Sequence, residues 1–285
     1  MTNEYLAPVI TITNHKGGVA KTTSVINLSA EFGRKGCSVL VIDLDPQGNA
    51  SNHIGSIDFS KISNNAARLM CDPATKNDIA EIVSCVHTSV NPGFDNVHYV
   101  PSQMNLDKLV METIKMSSSR PDEELKRRLD KIRAVFDIVL IDCPPSLTTL
   151  TNNAISAATH YIIPVDTGTD YSTSGLIGLM KHISDVSTET NENLEFLGVL
   201  LTRHDESKNA NKAIAASVEL LEKELSGAGR MLPVYIRSSV KVAEASLAKT
   251  SIRKIARSNN VTIDYNNLAD HLLDRLSIRK SMLDD

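Results

Sequence analysis

Residues 9–23 read VITITNHKGGVAKTT, and the fold turns on how that stretch is divided. Val9–Thr13 has the apolar and β-branched composition of a buried strand. A glycine-bearing turn follows. A helical pattern then runs from Thr22 to Arg34 and ends near Gly36, a helix C-cap. Strand, turn and helix in that order make a seat for phosphate. Gly17 and Gly18 let the backbone approach closely, and the helix N-terminus offers unsatisfied N–H groups and partial positive charge. The strict template for such a loop is G-x-x-x-x-G-K-[ST]. Counting back from Lys21, His15 and Ala20 stand where it asks for glycine, and Lys16 is an additional cation. A bare Gly-Gly is an ordinary turn. Lys21-Thr22-Thr23 at the helix start is what points to phosphate, with Lys21 to neutralise charge and the Thr22 hydroxyl to ligate Mg²⁺.

Two further apolar runs end in acids. VLVIDLDPQGNAS places Asp43 and Asp45 two residues apart after one strand, and FDIVLIDCPPSL places Asp142 after another, where Pro144-Pro145 stops the strand. Hard cations take oxygen ligands, and an attacking water needs an acceptor to orient it. Alone, each acid is also compatible with a polar strand end. Strands are expected at Val9–Thr13, Ser38–Ile42, Val97–Val100, Phe136–Ile141, Tyr161–Val165, Phe196–Leu201 and Pro233–Ile236, and a helix at Pro121–Ala134. Their alternation with helices predicts an α/β fold, a doubly wound and mostly parallel sheet flanked by helices, in a single domain over residues 1–285. Ligands of such sheets bind beyond the carboxyl ends of the strands. Residues 55–95 read only as short helices and loops.

Composition narrows the function classes. The 285 residues are 41% hydrophobic with a formal net charge of −4, which argues against a surface that coats nucleic acid everywhere but allows a local basic patch. No apolar run approaches the roughly 18 residues of a membrane span, and MTNEYLAP lacks the features of a secretory signal. The four cysteines (Cys37, Cys71, Cys85 and Cys143) are scattered without a C-x-x-C pair, which speaks for reduced thiols rather than a metal centre.

The loop satisfies a second pattern, x-K-G-G-x-x-K-[ST], over residues 15–22. It is accompanied by DLDPQGNA (43–50), VPSQMNLDKL (100–109), DCPPSLTTLTNNAISAA (142–158), IIPV, LGVLLTRHD and VKVAEAS (240–246). Together these resemble the ParA/MinD family of deviant-Walker P-loop ATPases, nearest to the short ParA partition ATPases. The resemblance covers most of the chain. It implies ATP and Mg²⁺ as cofactors, slow partner-stimulated hydrolysis, and an ATP-dependent sandwich homodimer. Lys16 would reach across that dimer to the partner's phosphates, Lys21 would hold phosphate in its own subunit, and Asp45 would orient the hydrolytic water. The nucleotide would be bound by Lys16, Gly17, Gly18, Val19, Ala20, Lys21, Thr22, Thr23 and Arg203. The metal would be served by Thr22, Asp43 and Asp142.

The match thins in three places. IRSSV (236–240) puts Arg237 and Ser238 where the family has proline and arginine; ASLAKTS (245–251) replaces another family stretch, and DTGTD (166–170) lacks the usual glutamate. Between residues 237 and 257, Arg237, Lys241, Lys249, Arg253, Lys254 and Arg257 face one acid, Glu244. With the resemblance, that excess implies non-specific DNA binding in the ATP state, nucleoid association in the cytoplasm and a ParB-like adaptor. No membrane association is expected: the apolar stripe of Leu268, Leu272 and Leu276 is explained by helix packing. The alternatives are positioning of a protein cargo, a MinD-like membrane ATPase, or an enzyme that activates a small carboxylate with ATP.

Overall fold

The computed structural model describes residues 5–55, 58–168, 173–205, 207–209, 211–213, 216–217 and 231–278. Eight strands form one sheet: β1 (Val9–Ile12), β2 (Val39–Asp43), β3 (His87–Thr88), β4 (Val97–Val100), β5 (Ile138–Asp142), β6 (His160–Asp166), β7 (Glu195–His204) and β8 (Ile236–Arg237). Their order across the sheet is β3-β4-β2-β5-β1-β6-β7-β8, and every pairing is parallel except β3 with β4. The helices are α1 (Lys21–Arg34), α2 (Asn49–Gly55), α3 (Ala66–Cys71), α4 (Ala74–Asn77), α5 (Ile79–Ser84), α6 (Leu106–Ser117), α7 (Glu124–Leu129), α8 (Thr149–Ala157), α9 (Thr173–Thr190), α10 (Lys241–Leu247), α11 (Ile252–Ile255) and α12 (Asn260–Arg275).

The three central strands are buried along their whole length, as a parallel sheet covered on both faces requires. The pleat sorts their residues. Ile10, Ile12, Val39, Val41, Ile138 and Leu140 join the cluster under α1 and α12. Val9, Leu40, Ile42, Val139 and Ile141 join the opposite cluster, with Leu69 of α3, Val110 of α6, Leu125 of α7 and Leu150 of α8. Beyond β1, Leu176, Leu179 and Ile183 of α9 pack on β6 and β7. Leu268 and Leu272 are fully buried in the first cluster, and Leu276 packs against it, so the apolar stripe of α12 is core.

The expected doubly wound sheet is present, with differences at its margins. β3 is an antiparallel edge strand of two residues, too short to show a period. Of the expected strand at Pro233–Ile236 only Ile236 belongs to β8; Pro233 has no N–H to give a ladder. The expected helix Pro121–Ala134 is broken. It opens as a 3₁₀ turn at Pro121–Glu123, continues as α7, and leaves the helical path at Ile132 (φ −123°) before a second 3₁₀ turn at Arg133–Val135. Leu125, Leu129, Ile132 and Phe136 are all buried, and tertiary packing outweighs the helical pattern there. Gly36 follows α1 at φ +90°, with its N–H on the Gly33 carbonyl at 3.0 Å, the expected cap.

Candidate functional site

β1, β2 and β5 lie together at the centre of the sheet, and their carboxyl ends present the loop of residues 14–20, Asp43 and Asp142 to one cleft edge. β5 separates β2 from β1, so the chain crosses between halves of the sheet at this point, where open α/β sheets bind ligands. Asn14 organises the loop: its buried amide donates to the Pro164 carbonyl at 2.8 Å, and its Oδ1 accepts the Lys16 N–H at 3.0 Å. Gly18 takes φ +74°. Ala20 also lies in the left-handed region (φ 68°, ψ 27°) and caps α1 without a side-chain bond. The first turn of α1 therefore keeps its donors for a ligand, and it carries no acid to compete with an anion.

Ala20 stands where the strict template asks for glycine, and the backbone explains that preference. An L-residue in this region costs about 1–2 kcal/mol. Ala20→Gly is expected to raise unfolding free energy by about 1 kcal/mol in urea denaturation, the relief exceeding the added chain entropy. A variant no more stable than the parent would show that the loop carries no such strain.

Lys21 is 6% exposed, and its Nζ donates to the Lys16 carbonyl at 2.9 Å. Burial lowers its pKa, against the raising influence of Asp142, Cys143 and Asp45. Asp43 and Asp142 are register partners on β2 and β5. Asp43 is satisfied within the protein: Oδ2 accepts the Ser51 N–H at 2.8 Å and hydroxyl at 2.6 Å, and Oδ1 accepts the Asp45 N–H at 3.1 Å. Burial nevertheless pushes its carboxyl up to about 7, with Asp45 adding to the rise and the Ser51 bonds opposing it. Asp142 is fully buried, and its pKa is raised well above the carboxylate range by burial and by Asp43, with Thr22 and Lys21 pulling the other way. Neither Asp142 oxygen reaches hydrogen-bond geometry with a protein partner.

Two orphaned, buried carboxylate oxygens near the Thr22 hydroxyl fit a hard cation. A magnesium ion keeps much of its water and leans on phosphate oxygens, so it needs few protein ligands. No cluster of three or more His, Cys, Asp or Glu suited to a metal occurs among the described residues. Of the three expected metal residues, Thr22 and Asp142 fit directly. Asp43 is committed to Ser51.

Asp45 is 7% exposed and lines the cleft, with Oδ1 accepting the Gln47 N–H at 3.0 Å. Its carbonyl accepts the Ser102 hydroxyl at 2.6 Å, and the Ser102 N–H donates to Ser51 Oγ at 2.8 Å. Ser51 and Ser102 thus join both acids in one ring. Sequence reasoning gave neither a role, although both lie inside quoted motifs. Arg203, in the left-handed region at φ 51°, donates to the Gly18 carbonyl at 3.2 Å and pairs with the buried Asp166, another residue given no role. Thr202 Oγ1 donates to the Val19 carbonyl at 3.3 Å. The cleft, about 470 Å³, runs from Gly17, Lys21 and Thr22 past Arg203 to Ile236, Arg237, Val242 and Tyr265.

The six basic residues of 237–257 do not form one patch. Arg237 is clamped by Asp264 and lines the cleft, Arg253 pairs with the buried Glu31, and Lys241 pairs with Glu244. The acids Glu31 and Asp264 come from α1 and α12, so a count over 237–257 misses them. Lys249, Lys254 and Arg257 are exposed. Lys254 and Arg257 share a hollow with Arg34, Arg253 and the acid Asp95. Among the described residues no helix is long and apolar enough to cross a membrane.

Residues 7–196 match a family described as "AAA domain". Sporulation initiation inhibitor protein Soj of Bacillus subtilis is 32% identical over 240 residues, 84% of this chain and 88% of that protein. Chromosome-partitioning ATPase Soj of Thermus thermophilus is 30% identical over 267 residues, 94% and 96% of the two chains. The solved structure of cobyrinic acid a,c-diamide synthase from Mycobacterium smegmatis, with bound ATP analog and magnesium, superposes at TM-score 0.77 with 28% identity, covering 96% of this chain and 98% of that one. The septum site-determining protein MinD from Pyrococcus horikoshii, complexed with Mg-ADP, superposes at 0.74 with 20% identity over 98% and 100%, a likeness of fold.

Proposed function

Because the chain belongs to the ParA/Soj group of P-loop ATPases, we propose that it is an ATP-driven dimerising switch that positions or segregates a DNA cargo. The observation that carries this reading is the joined pair of lysines. Lys21 lies buried against the strand-end acids, while Lys16, whose carbonyl it holds, sits half-buried at the outer loop. One cation serves the phosphates of its own subunit and the other those of a facing subunit, as an arginine finger does when given in trans.

In that mechanism the α1 N–H groups and Lys21 bind the phosphates, and Arg203 braces the loop through Gly18. Thr22 and Asp142 would hold a magnesium ion, which would supply charge neutralisation at the phosphates. Asp45 orients the attacking water, with its position fixed by Ser102. Asp43 couples that water site to the metal site through Ser51. Transfer of the terminal phosphoryl group to water ends the ATP state and with it the dimer. A ParB-like adaptor would set the timing by stimulating hydrolysis.

DNA is assigned to Lys249, Lys254 and Arg257, the exposed cations, with a nucleoid location following from it. Salt-dependent retention of a random-sequence duplex in ATP and in ADP tests the assignment. Binding is expected in ATP, with log K falling by about 0.9 per phosphate neutralised for each tenfold rise in salt. Lys249→Glu/Lys254→Glu is expected to weaken retention at least tenfold while sparing ATP binding. Wild-type protein that ignores DNA in both states would shift the cargo to a protein. The likeness to cobyrinic acid a,c-diamide synthase supports a second reading, ATP-dependent activation of a small carboxylate. ATP turnover that rises with a carboxylic acid and ammonia, without DNA, would favour it.

A further inference from the structure

We propose that α2 is the arm through which the nucleotide site sets the attitude of Lys249, with His53 as its positioning residue; this rests on the assignment of DNA to Lys249 above. Two helices leave the nucleotide site, α1 from the phosphate loop and α2 from the segment that carries Asp43 and Asp45. Both are bonded to the stretch just after Lys249. Asn27 of α1 is buried, and its Oδ1 accepts the Ile252 N–H at 3.1 Å. His53 of α2 is buried against Phe94, with Nε2 2.7 Å from the Thr250 carbonyl. A carbonyl only accepts, so Nε2 carries the proton. Asn91 closes the arrangement: its Nδ2 donates to the His53 carbonyl at 2.8 Å and to the Lys249 carbonyl at 3.1 Å.

At its other end α2 is fixed to an acid of the nucleotide site. Ser51, on the same helix as His53, gives both its N–H and its hydroxyl to Asp43 Oδ2. Asp43 is the register partner of Asp142, so charge arriving beside Asp142 bears on the Ser51 bonds. A displacement of α2 relative to α1 must move Thr250 against Ile252, close by in the chain. The backbone around them takes up the difference. Lys249 adjoins it at φ +47°, in the left-handed region that side chains rarely adopt. Such a conformation persists only where its surroundings hold it, which is the behaviour expected of a switch segment. Between α2 and α10 lies a hollow of about 390 Å³, lined by Asn52, His53, Ser246 and Lys249 and reaching Thr22 and Thr23. The hydrogen bonds of His53 and Asn91 span the margin of that gap, so one side-chain change can cut the arm.

Fluorescence anisotropy of a labelled random-sequence duplex, titrated with the full chain in a non-hydrolysable ATP analog and in ADP, reads the ratio of duplex affinities in the two states. His53→Leu and His53→Gln are similar in size, and only the glutamine amide can donate to the Thr250 carbonyl. His53→Leu is expected to shrink the ratio about fivefold or more, with ATP affinity by calorimetry and the ATP-dependent dimer by light scattering unchanged. His53→Gln is expected to keep most of the ratio. Equal weakening of duplex binding in both states, with lower stability in urea, marks a merely structural residue and overturns the arm. A parental ratio in His53→Leu, or the same loss in both variants, overturns it too. Wild-type protein that holds duplex equally in both states overturns the arm and leaves the DNA assignment standing. Wild-type protein that ignores duplex in both states overturns the two together.

Discussion

Lys16→Ala is expected to reduce ATP turnover about a thousandfold or more and to abolish the ATP-dependent dimer, the scale of loss seen when a finger given in trans is removed. The substitution leaves the loop itself in place. Two contacts that fix this stretch are made by Lys16 backbone atoms, the N–H on Asn14 Oδ1 and the carbonyl on Lys21 Nζ, and alanine keeps both. Affinity for ATP in the monomer should change little, since Lys21 and the α1 N–H groups remain. Light scattering with and without ATP, paired with steady-state phosphate release, checks the result. A variant that still forms an ATP dimer and hydrolyses at the parental rate removes Lys16 from the reaction.

Arg128→Leu carries the largest expected effect on stability, a loss of about 3–5 kcal/mol. Arg128 and Glu124 are each 1% exposed and paired one turn apart on α7. Arg128 also donates to the Glu124 carbonyl at 2.9 Å and to Thr75 Oγ1 at 3.0 Å, so it joins α7 to α4. Removing it leaves the buried carboxylate with the Ser118 hydroxyl and the more exposed Arg127, whose Nη1 lies 3.3 Å from Oε1, and takes away its one buried cation. Replacing both partners, Arg128→Leu/Glu124→Leu, should recover much of the loss, because the cost lies in the poorly compensated buried charge rather than in a missing attraction. Burial pushes the Glu124 carboxyl up, but the Ser118 and Arg128 bonds prevail and hold it below its ordinary value. The pair's contribution is therefore full above the unfolded carboxylate range and lost as pH falls through the folded pKa, so the deficit of the single variant should narrow in acid. Urea titrations at neutral and acid pH read both effects; a loss under about 1 kcal/mol at neutral pH would refute the argument.

The sheet was legible because its central strands are short apolar runs with both faces covered, and because each ends in a residue of distinct chemistry. The phosphate loop was legible for the same reason: lysine, glycine and threonine at fixed spacing speak of backbone conformation and charge together. Three things were not. The broken helix after Pro121 has a helical pattern, and only the packing of Ile132 and Phe136 interrupts it. Ser51 and Ser102 look like common loop serines until folding brings them between two acids. The basic excess at 237–257 was a one-dimensional count, and Glu31, far away in the chain, and Asp264, just past the end of the counted stretch, cancel part of it. Arg237 moved furthest, from a surface assignment to the cleft wall.

The strand order has a consequence for how the protein is made. β1 leaves the ribosome before the other strands of the sheet, yet its two neighbours are β5 and β6. Its first partner, Val139, is synthesised 130 residues after Val9. At about 5–20 residues per second, the VITI strand and the phosphate loop wait on the order of ten seconds without a sheet to join. The early half can pair β2 with β4 meanwhile, but the loop has no sheet to hold its native shape until β5 slides between β2 and β1. Newly made chains are thus most exposed to aggregation through the very segment that later binds phosphate, and chaperone demand should fall once residue 142 has emerged.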